Sequence, residues 1–99
     1  MKVRYSPRAA HDLVSIHQYL IERSPHGAVK VLSAISAAVE FIRRNPKAAE
    51  MTIMRGVREK VVQKYRFKVF YRSVDDDDVI EIVHIRHTSR DRKSTRLNS

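Results

Sequence analysis

The chain has 99 residues, 42% of them apolar, enough for one folded core with little room for a second. It contains no cysteine, which excludes disulfides and thiolate metal sites. Twenty lysines and arginines against 11 aspartates and glutamates give a formal charge of +9, which selects for nucleic acid or an acidic protein as partner.

No run of about 18 apolar residues is present, and residues 1–20 lack the apolar stretch of a signal peptide, so a cytoplasmic protein with no membrane partner is expected. Residues 2–5, KVRY, alternate as a short strand does. Ser6–Pro7 then supplies an N-cap and a proline at the first helical position. Ala9, Leu13, Ile16, Leu20 and Ile21 recur at spacings of three and four, predicting a helix to about Arg23. Ser24–Pro25 ends it and starts another. Ala28, Val31, Leu32, Ile35, Ala38, Val39 and Ile42 form the stripe of that second helix. Arg43 and Arg44 suit the negative end of its dipole, and Asn45–Pro46 stops it.

The second half changes period. Residues 58–65 (REKVVQKY), 67–74 (FKVFYRSV) and 79–87 (VIEIVHIRH) are rich in β-branched and aromatic residues, and predict three strands joined by tight hairpins at YR and DDDD. Ile80 and Ile82 should point to one face, Val83 and Ile85 to the other, as in a central strand. The expected fold is α+β, in the order β-α-α-β-β-β, with the helical hairpin packed on one face of a small, mainly antiparallel sheet. Residues 1–92 form the single domain; residues 93–99, KSTRLNS, have no periodicity and are expected to be a disordered or non-native tail.

The cations concentrate in this half. Arg58, Lys60, Lys64, Arg66, Lys68 and Arg72 come from two adjacent strands and their turn, and Arg86, His87, Arg90 and Arg92 extend the last strand. Alternation puts Lys60 and Lys64 on one side of their strand and Lys68 and Arg72 on one side of theirs, so the hairpin is expected to make them neighbours. Like charges placed opposite each other cost a sheet up to about 1 kcal/mol per pair, which favours an anion or target site over a stabilising role. The alternative is a solvated face kept soluble by its charge. His11 and His17 are expected to be exposed helix residues. His84 and His87, three apart on a strand, face opposite sides and cannot clamp one metal. Asp75–Asp78 lacks the glycine and spacing of a calcium loop and is expected to be a hairpin tip, so no metal or cofactor is expected. Tyr65, Phe67, Phe70 and Tyr71 interleave with cations as base-stacking surfaces do, although aromatics in strands are more often core.

The opening VRYSPRAAHDL, the middle GVREKVVQKYRFKVFYRSV and the closing IEIVHIRHTSRD, in this order, resemble the RelE/ParE superfamily of bacterial type II toxins over residues 2–92. The resemblance implies one of two activities. RelE-like members cut messenger RNA in the ribosomal A site without a metal, and ParE-like members poison DNA gyrase. It also implies a cognate antitoxin and a toxin–antitoxin hetero-oligomer, and the charge of +9 makes an acidic antitoxin the expected one. By the same resemblance, Arg90 matches a functional arginine near the C-terminus. Lys68, or Arg66 after a one-residue slip, matches an arginine early in the third strand. His87 lies near a catalytic histidine of some nucleases. Glu59 is the only acidic residue on its strand that could serve as base, and no tyrosine follows Arg90. The ending H-x-x-R-D, His87, Arg90 and Asp91, is closer to the ParE branch. A non-catalytic basic binding module is the further alternative.

Arg90→Ala is expected to abolish growth inhibition without loss of folding, and Arg90→Lys to impair it partly, because a bidentate arginine contact is not reproduced by lysine. His87→Ala should cost on the order of a hundredfold in cleavage rate if the chain is a nuclease, and only weaken binding if it is a gyrase poison. Induction in cells, with folding checked by circular dichroism, measures both; a folded Arg90→Ala/His87→Ala chain that stays fully toxic would sink the site.

Overall fold

In the computed structural model, residues 1–74 and 78–88 are described. Arg90, Asp91, Arg92, the expected tail at 93–99 and the Asp75–Asp77 part of the acidic tip lie outside them. The elements run β1 (Lys2–Tyr5), α1 (Pro7–Arg23), α2 (Pro25–Arg44), β2 (Glu50–Met51), β3 (Arg58–Val62), β4 (Phe67–Val74) and β5 (Val79–His87). The sheet order is β1-β5-β4-β3-β2, with β1 parallel to β5 and the other pairings antiparallel. The two helices lie on one face, giving the expected α+β layers.

Both helix starts are built as their sequences require. Ser6 Oγ accepts the Ala9 N–H at 3.0 Å, with Pro7 at the first turn. Ser24 Oγ accepts the Gly27 N–H at 3.0 Å, while the Ser24 N–H closes α1 on the Leu20 carbonyl. The core joins Ala9, Val31, Ile35, Ala38, Val39 and Ile42 of the helices to Val62, Phe67, Val69, Tyr71, Ile80, Ile82 and Ile85 of the sheet. Leu13, Ile16 and Leu20 pack against it, but Ile21 is exposed, at the margin of the α1 stripe. Tyr71 is buried and its hydroxyl donates to the Pro46 carbonyl at 2.8 Å, which ties the loop after α2 to the sheet. Burial pushes this hydroxyl above its usual pKa, against the opposing pull of Arg58.

Ile85 faces the helices together with Ile80 and Ile82, contrary to the expected alternation. Tyr71 pairs with Ile82 and Phe70 with His84, so Val83 is an extra residue in β5, a bulge that shifts the phase by one. The expected strand over 58–65 stops at Val62. Gln63–Tyr65 form a 3-10 turn, and Arg66 turns the chain with φ 60, a left-handed conformation unusual for arginine. Strand β2 was not anticipated; two residues are too short to show a period.

Ser6 also donates from Oγ to the Val83 carbonyl at 3.0 Å, and its N–H bonds the Ile82 carbonyl at 2.9 Å. Ser24→Ala should therefore cost only a cap, about 0.5–2 kcal/mol. Ser6→Ala should cost about 1 kcal/mol more, because the Val83 carbonyl loses its donor. That difference corresponds to roughly 4–8 °C in melting temperature for a domain of this size. Equal losses in thermal melts would show that the Val83 contact contributes nothing.

Candidate functional site

The sheet face turned away from the helices carries the residues that alternate with the core: Lys68, Phe70 and Arg72 of β4 with their partners in register. Three cross-strand rows result. The first is Arg4–Glu81–Arg72, the second His84–Phe70–Glu59, the third Arg86–Lys68–Val61. In the first row Glu81, 12% exposed in its side chain, meets Arg72 Nη2 at 2.8 Å and Arg4 Nε at 3.4 Å. Between the other two, Glu59 lies 3.8 Å from Lys68 Nζ. Lys68 and Arg86 are directly opposite, a like-charge pair that costs up to about 1 kcal/mol. Glu59 offsets part of this, and the Arg86 guanidinium sits 4.9 Å from the centre of the Phe70 ring.

The other cations lie elsewhere, so the expected merging of Lys60 and Lys64 with Lys68 and Arg72 does not occur. Arg58 and Lys60 pair with Tyr71 and Val69, which places them on the helix-bearing face. Arg58 donates to the Ala49 carbonyl at 2.7 Å and Lys60 Nζ lies 4.4 Å over the Phe41 ring of α2. Lys64 belongs to the 3-10 turn, 5.5 Å over Tyr65. Arg66 is exposed at the turn, and its carbonyl accepts the Thr88 N–H at 2.6 Å. The physical reason is twofold: the β3–β4 register sets Lys60 on the helix-bearing face, and β3 ends two residues before Lys64.

His87 packs edge-on against Phe67 at 5.0 Å and His84 stacks on Phe70 at 5.7 Å, so the two histidines engage rings on opposite faces, as expected of their spacing. His11 and His17 are exposed. Phe67 and Tyr71 belong to the core, which favours the core reading over base stacking for them, while Phe70 is covered on the opposite face by His84 and Arg86. Among the described residues no three His, Asp or Glu side chains gather as a metal site, and no helix is long and apolar enough to cross a membrane.

One functional candidate escaped the sequence. Asp12 of α1, 14% exposed in its side chain, reaches the outer edge of β5 just past the bulge. Its Oδ2 accepts the Ile85 N–H at 3.0 Å and lies 2.7 Å from His84 Nδ1, while Arg8 Nε stands 3.7 Å from Oδ1. The carboxylate thus fixes the His84 ring, the ring stacks on Phe70, and Phe70 supports Arg86 beside Lys68. Only the local motif HDL marked Asp12, and nothing in it indicates a contact 72 positions away.

A separate apolar groove of about 420 Å³ runs between the helices by the edge strand, lined by Tyr5, Leu13, Val14, His17, Leu32 and Ile35 among others.

The sequence pattern described as "ParE toxin of type II toxin-antitoxin system, parDE" matches residues 3–92. The chain belongs to the ParE toxin family. The fold agrees with toxins of the wider RelE/ParE superfamily. The chromosomal ParDE toxin–antitoxin system of P. aeruginosa aligns with a TM-score of 0.76 at 23% identity, over 88% of this chain and 95% of that one. The intact E. coli RelBE toxin–antitoxin complex aligns at 0.66 and 11% identity, over 87% and 94%. The YoeB/ParE toxin of Agrobacterium tumefaciens aligns at 0.63 and 14%, over 88% and 98%. No curated protein matches the chain in sequence. At these identities the solved structures establish the shared ParE/RelE-type fold; the family pattern establishes the toxin assignment.

Asp12→Ala removes the acceptor for the Ile85 N–H and the anchor of the His84 ring. It should destabilise the domain by about 1–3 kcal/mol in urea unfolding, the cost of an unsatisfied part-buried donor. Asp12→Asn, which keeps one oxygen acceptor, should lose less. If Asp12→Ala unfolds no earlier than wild type, the carboxylate does not hold this edge.

Proposed function

We propose that this chain is a type II toxin that poisons DNA gyrase without turnover and is silenced by an acidic antitoxin. The observation that carries the reading is the interleaving of carboxylates with the cations of the open sheet face. Glu81 stands between Arg4 and Arg72, and Glu59 beside Lys68. A site for cleaving RNA has to stabilise charge that accumulates on the phosphate oxygens, and cations already matched by carboxylates are poorly suited to that. A phosphate backbone would also meet Glu81 and Glu59 as repulsion. A protein surface, which offers both signs, fits alternating rows. The ParE match over residues 3–92 supports the same branch.

The silencing partner is supported by relatives solved as a ParDE system and a RelBE complex. The groove between α1 and α2 suits an amphipathic segment, and the charge of +9 favours an acidic one.

A second reading rests on the Asp12–His84 contact. A histidine oriented by a carboxylate, next to the Lys68–Arg86 pair, has the parts of a general acid or base beside an anion site. That would make the chain a RelE-like, ribosome-dependent endoribonuclease.

Purified chain should inhibit gyrase supercoiling and leave messenger RNA intact on translating ribosomes, and the cognate antitoxin should restore supercoiling. Ribosome-dependent cleavage abolished by His84→Ala, with supercoiling untouched, would replace the first reading by the second.

A further inference from the structure

Strand β2 and the loop from it to β3 carry apolar side chains where a folded chain rarely leaves them. Ile53 is 100% exposed, Met54 65% and Met51 53%. The loop is nonetheless tied down. The Thr52 N–H and hydroxyl both donate to the Val57 carbonyl at 2.9 Å, and the hydroxyl oxygen accepts the Met54 N–H at 3.1 Å. The Val57 N–H returns to the Met54 carbonyl at 3.1 Å, and Gly56 closes the turn with φ 77, a conformation open to glycine. Val57 is buried beneath it. A turn braced in this way presents Ile53 and Met54 with little ordering entropy left to lose on binding.

We propose that this turn is the apolar anchor of the toxin's contact with its target, seated in an aliphatic pocket on an acidic protein surface. The inference rests on the reading that the chain acts by binding a protein. Charge selects the occupant. Lys47, Arg55, Arg58 and Lys60 surround the turn in sequence against Glu50 and Glu59, and Glu59 faces Lys68 on the other side of the sheet. A second copy would bring +9 onto +9. A nucleic acid gains little from Ile and Met, which do not stack as aromatic rings do. The groove proposed for the antitoxin lies by Tyr5 of β1, whereas the turn adjoins β2 at the opposite edge of the sheet, so the two surfaces are separate.

The test compares wild type with Ile53→Ser/Met54→Ser, with Arg55→Glu, and with Val29→Ser as an exposed apolar control on α2. Burying one aliphatic side chain is worth on the order of 10- to 100-fold in affinity. The double variant should therefore need at least about tenfold more toxin to arrest growth, with unchanged melting temperature and unchanged antitoxin affinity. Arg55→Glu should also lose potency, and Val29→Ser should not. Full toxicity of the double variant at equal expression overturns the proposal. So does a loss confined to antitoxin affinity, or undiminished potency of Arg55→Glu. Sedimentation of wild type, but not the double variant, with phosphatidylserine vesicles would assign the turn to a lipid surface and overturn it as well. Gyrase supercoiling separates the two claims. Wild type that spares gyrase while the double variant still loses toxicity removes the gyrase reading and leaves the anchor standing. Wild type that inhibits gyrase equally with the double variant removes the anchor and leaves gyrase.

Discussion

Strand β5 has to satisfy its backbone along two edges, and β1 is too short to do it. On one side β4 follows it from Val79 to His87. On the other, β1 pairs only with Val79–Ile82. A strand buried in a sheet cannot leave the remaining groups unpaired, since each would cost about 1–3 kcal/mol. The N-terminal end of α1 takes over where β1 stops. Ser6 bonds the Ile82 and Val83 carbonyls, and Asp12 accepts the Ile85 N–H. This requirement places α1 against the sheet, lodges the bulge at Val83 beside it, and brings Asp12 within reach of His84. The geometry of the open face follows from the same edge, because His84 stacks on Phe70 and Phe70 supports Arg86.

What could be read from the chain divides by range. The helix limits are local: Ser6–Pro7 and Ser24–Pro25 each carry a cap and a pre-set φ in adjacent residues, so both starts stand where the sequence puts them. The α2 stripe is equally local, and Ala28, Val31, Ile35, Ala38, Val39 and Ile42 are all buried. Failures occur where a distant contact decides. No glycine marks the bulge at Val83, so alternation carried Ile85 to the wrong face. The 3-10 turn at Gln63–Tyr65 has ordinary strand letters, and Arg66 at φ 60 gives no sequence signal of a left-handed turn. Those three residues decide that Lys64 leaves the strand, and the register sets Lys60 on the face away from Lys68. Of the candidate site, only the shared side of Lys68 and Arg72 was readable from strand letters; the separation of Lys60 and Lys64 from them, and the ordering by Glu81, Glu59 and Asp12, were not.

The charge of +9 is arranged as well as accumulated. Several carboxylates serve two partners at once. Glu81 holds Arg4 and Arg72, Glu40 holds Arg43 and Arg44, and Asp12 stands between Arg8 and His84. The Glu40 carboxyl is lowered to about 2, chiefly by the hydrogen bond from Arg43. Exposed pairs of this kind add little stability. Their effect is to hold long side chains in fixed directions while each Glu-centred group of three keeps one positive charge. At long range the net charge of +9 attracts anions and acidic proteins. At contact the surface alternates in sign. Phosphate oxygens approaching this face would meet Glu81 and Glu59 as well as the cations. The long-range field acts alike on every anion, whereas what an anion meets at contact is set by the rows, built from residues that β1, β3, β4 and β5 bring together from opposite ends of the chain.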